Sequence, residues 1–144
     1  MFLNETKMEA NYTDSPNTSN VTSMRSMFYG CTKFNGKVEF DTSNVTSMYA
    51  MFRDCVEFNQ EVDFNSQNVT TMYAMFYKCS ALVAPVKLDT SSVTDISYMF
   101  SGSVTPRSFA SWDVTSLTTG AYFIDSGDIN EPGNTNNYDD TLIS

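Results

Sequence analysis

Asp41-Thr42-Ser43-Asn44-Val45-Thr46-Ser47-Met48-Tyr49-Ala50-Met51-Phe52-Arg53-Asp54-Cys55-Val56-Glu57-Phe58-Asn59 decides the architecture, because the chain spells it again and again. The preceding copy reads Ser19-Asn20-Val21-Thr22-Ser23-Met24, with Met27-Phe28, Cys31 and Phe34. The following copy reads Asn68-Val69-Thr70-Thr71-Met72, with Met75-Phe76, Cys79 and Leu82. A fourth has Ser92-Val93-Thr94-Asp95-Ile96 and Met99-Phe100, with Ser103 and Pro106 where cysteine and phenylalanine stood. A worn fifth keeps Ser116-Leu117-Thr118, Phe123 and Ile124. The period is 24 residues, without insertion, from about residue 17 to residue 124.

Each unit divides in two. Val38-Glu39-Phe40 and Val62-Asp63-Phe64 alternate apolar and polar residues, as a short half-buried strand does. Val45, Met48, Met51, Phe52 and Cys55 step by three, three, one and three, which predicts a short helix. Asp41-Thr42-Ser43-Asn44 before it supplies N-cap chemistry. The predicted fold is therefore α/β. It is a right-handed, leucine-rich-repeat-like solenoid of about five strand–short-helix coils, stacked at ~4.8 Å per coil. Residues 1–16 are expected to form an N-terminal cap or arm, 17–124 the repeats, and 125–144 an acidic loop and C-terminal cap. Asn20, Asn44 and Asn68 are expected to be buried by stacking, with their amides bonded to the backbone of the next coil.

Composition narrows the function. The chain of 144 residues is 41 % hydrophobic and 14 % aromatic, enough for a core. Seventeen acidic residues against eight basic ones give a net charge of −9, which argues against nucleic acid or an anionic membrane as partner. Histidine is absent, and with it the usual general base and the commonest zinc ligand. No apolar run is long enough to insert across a membrane, and Met1–Lys7 lacks the basic and then apolar run of a signal peptide.

The spelling Asp-Thr-Ser-Asn-Val-Thr-x-Met-x-x-Met-Phe-x-x-Cys-x-x-Phe-Asn resembles the surface-protein repeat of Mycoplasma lipoproteins. That repeat is related to BspA-like leucine-rich repeats. Ser111-Trp112-Asp113 is similar to a tryptophan-bearing variant, and Asn137–Ile143 to a closing segment. The resemblance covers roughly residues 17–143. It implies a secreted or cell-surface adhesion protein, with protein or glycan on a host or neighbouring cell as partner. It supplies no catalytic residues and no cofactor.

Candidate contact residues lie off the apolar stripe. The fourth and eighth positions after each valine are Arg25 and Tyr29, Tyr49 and Arg53, Tyr73 and Tyr77, then Ser97 and Ser101, with Tyr98 beside them. Stacked coils place these on one outer surface, where tyrosine offers contact area at low entropic cost and arginine can lie over its ring. The alternative is a lateral packing ladder that only stiffens the rod. On the strand side, Glu39, Glu61 and Asp63 form an acidic spot suited to basic partners. A glycosidase would need one of two such carboxylates in an apolar pocket, which a flat exposed face does not offer.

Cys31, Cys55 and Cys79 occupy one apolar column and are expected as free buried thiols. Three thiols in line make no tetrahedral metal site, and Asp125, Asp128, Asn130 and Glu131 do not have calcium-loop spacing. Neither metal nor cofactor is expected. The leading expectation is a non-enzymatic, surface-displayed binding module. The alternative is a virion, phage-fibre or extracellular filament subunit that self-associates. A third, ice binding, would use the column Thr22, Thr46, Thr70, Thr94 and Thr118.

Overall fold

A computed structural model describes residues 16–104 and 112–124. The proposed caps at 1–16 and 125–144 lie outside them, Pro16 excepted. Successive repeats are bonded in parallel, in step. Isolated bridges pair Ser23 with Ser47, Ser47 with Thr71, Thr71 with Asp95, and Asp95 with Thr119. Strand β1 (Val62–Phe64) pairs with β2 (Val86–Leu88), Val62 facing Val86 and Phe64 facing Leu88.

The predicted α/β leucine-rich-repeat solenoid is corrected here. Among the described residues there is no helix, and the strands are two, of three residues each. The backbone shows why. Met24, Ser26, Phe28 and Gly30 donate their N–H groups to the carbonyls of Ser47, Tyr49, Met51 and Arg53 in the next winding, at 2.8–2.9 Å. Met27, Tyr29 and Cys31 close tight turns onto Met24, Ser26 and Phe28. A helix needs each N–H for the carbonyl four residues back, and these donors are committed elsewhere. Positive φ at Ser26 (54°), Ala50 (52°), Asp54 (62°), Ala74 (51°) and Lys78 (57°) interrupts any helical path as well. The segment is a ribbon of consecutive turns lying flat on its copy in the next winding.

The ribbon nevertheless buries the stripe read from the sequence. Val45, Met48, Met51, Phe52, Cys55 and Phe58 are fully buried, and β1 adds Val62 and Phe64 from the other side. Phenylalanines pile into columns. Phe28, Phe52, Phe76 and Phe100 stack at 5.2, 5.5 and 5.4 Å between ring centroids, within 10° of parallel. Phe34 and Phe58 form a second column at 5.8 Å. Each such side chain contributes roughly 1.5–3 kcal/mol by leaving water, which a winding standing alone could not achieve.

The polar stretch expected to cap a helix staples windings instead. Buried Thr18, Thr42, Ser66 and Thr90 donate their hydroxyls to the carbonyls of Asp41, Asn65, Asp89 and Asp113, at 2.9–3.0 Å. Asn44 and Asn68 donate Nδ2 to the backbone carbonyls of Ser19 and Ser43 at 2.8 Å, in the preceding winding rather than the expected next one. They are exposed rather than buried, because the amide spans the outer edge of the joint. In the threonine column, the hydroxyls of Thr46, Thr70, Thr94 and Thr118 each donate to the carbonyl one winding back.

Candidate functional site

The outer side of the turn ribbon carries a continuous stack of aromatic and cationic groups. The Arg25 guanidinium lies 4.1 Å over the Tyr49 ring. Tyr49 stacks on Tyr73 at 4.8 Å and 7°. Tyr73 meets Tyr98 at 5.6 Å, tilted, and Tyr98 stacks on Tyr122 at 4.9 Å. Beside this row, Arg53 sits between Tyr29 and Tyr77, 5.4 and 4.8 Å from their centroids. Lys78 lies 5.2 Å over Tyr77. All six ribbon residues expected together, Arg25, Tyr29, Tyr49, Arg53, Tyr73 and Tyr77, are thus in one ladder. An exposed stack of this kind is worth about 0.5–1.5 kcal/mol per ring pair and about 0.5–1 kcal/mol per cation. Burial and the neighbouring Tyr49 push the Tyr73 phenol above its ordinary pKa, which keeps it neutral and able to donate.

The ladder differs from its sequence reading at its far end. Ser97 and Ser101, expected outside, are buried. Ser97 shares a hydrogen bond with the Thr119 hydroxyl at 3.1 Å. Tyr98 takes the outer place at φ 58°, and Tyr122 at φ 56°. Tyr122 was missed altogether. The signal was present, since Tyr98 and Tyr122 are themselves one period apart.

The strand side holds the second candidate. Glu39 pairs with Lys37, and Glu61 with Lys87 at 2.6 Å. The Lys87 ammonium holds the Glu61 carboxyl below its ordinary pKa, and Glu39 raises that of Lys37. The acidic spot is therefore largely neutralised from within. Two open grooves run across it, of about 540 and 700 Å³. Asp63 lines both; Asp41 lines the first, and Asp89 and Asp113 the second. Asp41, Asp89 and Asp113 each accept the N–H and the hydroxyl of the residue two ahead, at 2.6–3.0 Å. Those bonds lower their pKa values and keep the carboxylates charged.

Cys31, Cys55 and Cys79 are buried thiols in one column. The thiols of Cys55 and Cys79 donate to the carbonyls of Phe28 and Phe52 at 3.0 Å, and burial pushes both pKa values far up. Among the described residues no group of three or more cysteines and carboxylates is placed to hold a metal ion. The described residues contain no helix long and apolar enough to cross a membrane.

Fold and site together define a repeat protein whose 24-residue windings bury one apolar column set and display two chemically distinct sides. The chain belongs to the family described as Mycoplasma protein of unknown function, DUF285, whose model matches residues 1–112 and 62–139. This agrees with the resemblance to Mycoplasma-type repeats and does not extend to BspA-like leucine-rich repeats. The chain matches no curated protein and no solved structure.

Proposed function

We propose that the protein is a non-enzymatic binding module, secreted or displayed at a cell surface, that recognises a protein partner through the Tyr/Arg ladder. One observation carries this reading: the ladder is already ordered across successive windings before any partner arrives. Side chains held by their neighbours lose little freedom on binding, and tyrosine and arginine are the residues that most often dominate protein contacts. Ring faces are turned against one another, so edges and hydroxyls are what the ladder presents. That favours protein over glycan, which needs open ring faces to stack on. The absence of histidine and the ion-paired Glu39 and Glu61 favour binding over catalysis. The threonine hydroxyls are spent on the windings, which leaves ice binding without support.

The test separates binding from packing. Labelled protein is applied to an array of extracellular-matrix proteins and to a glycan array, as wild type and as Tyr49→Ala/Tyr73→Ala. The expected result is a signal on the protein array that the double variant loses at least about tenfold, with Tm moved by no more than a few degrees. Equal binding by the variant, or a Tm loss beyond about 8 °C, reassigns the ladder to packing.

A further inference from the structure

The two sides of the core differ in their unpaired charge, since on the strand side Lys37 and Lys87 are taken up by Glu39 and Glu61. The ladder side carries one cation per winding over three successive windings: Arg25, Arg53 and Lys78. Of these three, Arg53 alone has a carboxylate of the described residues within bridging distance, Asp54 at 3.4 Å. The strand side carries the complement. Asp41, Asp63, Asp89 and Asp113 form no ion pair among the described residues. They follow one another at one carboxylate per winding, with Asp63 in the winding where Asn65 interrupts the aspartate column. Both rows advance by about one charge per winding of the same parallel stack, the cations drawn from three columns and Asp63 from the one two residues before the aspartates.

We propose that the ladder side of one copy docks on the strand side of a second copy, cations of one entering the open grooves between the aspartates of the next. This rests on the ladder being a contact surface and names its occupant. The contact joins two different faces, so each docked copy still offers both, and growth continues sideways rather than stopping at a dimer. A net charge of −9 opposes the approach of two copies at long range. At about 0.15 M salt the Debye length is about 8 Å, so that repulsion is screened while charges in contact are less affected. Association is therefore strongest at intermediate salt and weaker at both extremes.

Sedimentation and light scattering across concentration test this. For wild type at about 0.15 M salt, the weight-average mass rises at least about twofold over the 16.1 kDa monomer as protein approaches about 1 mM. It falls back at about 0.01 M and about 1 M salt. Arg25→Glu/Arg53→Glu alone and Asp63→Lys/Asp89→Lys alone are each monomeric. Mixed, they associate, because each variant's altered face then meets an opposite charge. A wild-type mass that stays monomeric at every salt overturns the second copy as occupant. It leaves the ladder's role as a contact surface to the Tyr49/Tyr73 comparison. Association that both reversed variants retain also overturns it.

Discussion

Cys55, Cys79 and Ser103 occupy one column and perform one task. Each donates to the carbonyl of the phenylalanine 27 residues back, Ser103 to that of Phe76 at 2.5 Å. The column therefore needs a small donor rather than sulfur chemistry. Cys79→Ser keeps the donor and is expected to change stability by less than about 1 kcal/mol. Cys79→Ala removes one of the two donors to the Phe52 carbonyl, which keeps the Cys55 N–H at 3.0 Å, and is expected to cost about 0.5–1.5 kcal/mol, read from urea unfolding midpoints. Gly102 makes the converse case. It sits at φ 71°, and an added Cβ would lie 3.0 Å from Lys78 Cγ. Gly102→Ala is expected to lose about 1–2 kcal/mol by the same measurement, through backbone strain rather than lost contact.

The corner between strand and ribbon is where acid acts. Asp41, Asp89 and Asp113 each hold a turn together through Ser43, Ser91 and Thr115, and their carboxyls titrate below the ordinary value. An unfolded aspartate titrates near 3.9. Lowered native pKa values mean that the unfolded state takes up protons first as pH falls. The corners' contribution is fully present above about pH 4 and is lost as pH drops through the native pKa values. Tm is expected to hold level from neutral pH to about pH 5 and to decline below about pH 4. Asp41→Asn/Asp89→Asn/Asp113→Asn is expected to flatten that decline.

The same corner shows what the sequence disclosed. Val45, Met48, Met51, Phe52 and Cys55 point inward as their spacing required, while Tyr49 and Arg53 remain partly exposed on the outside. The local backbone was not legible, because consecutive tight turns place apolar residues at the same three-residue steps as a helix. What distinguishes them is that alternate N–H groups leave the segment for the next winding, a long-range fact. Three residues hinted at it. Gly30 and Gly102 sit inside the supposed helix, and buried Ala50 falls off its stripe. Of the site, the central six ribbon residues were legible from their columns. Tyr122 was legible only through its period from Tyr98, because these two rings stand in the column that Ser26, Ala50 and Ala74 fill in the earlier windings, one residue beyond Arg25, Tyr49 and Tyr73.

Registration between windings makes the length of the whole molecule adjustable in steps of one period. Deleting residues 61–84 joins Gln60 to Pro85 and puts Val86 and Leu88 in the places of Val62 and Phe64, against which they already pair in register. Pro85 then follows the turn that Glu61 followed, a position its own column already accommodates. The shortened protein is expected to fold cooperatively with a lower urea midpoint. The loss is a few kcal/mol, because the apolar burial given up with one winding is largely offset by the chain entropy of about 24 residues no longer ordered. Deleting residues 61–72 removes half a period instead. It sets the ribbon opposite the strand, so that Met75 takes the exposed place of Asp63 and Lys87 the buried place of Met75. That variant is expected to lose its near-ultraviolet circular dichroism entirely. Cooperative folding of both variants, or of neither, would show that stability resides in something other than like side chains meeting like across each joint.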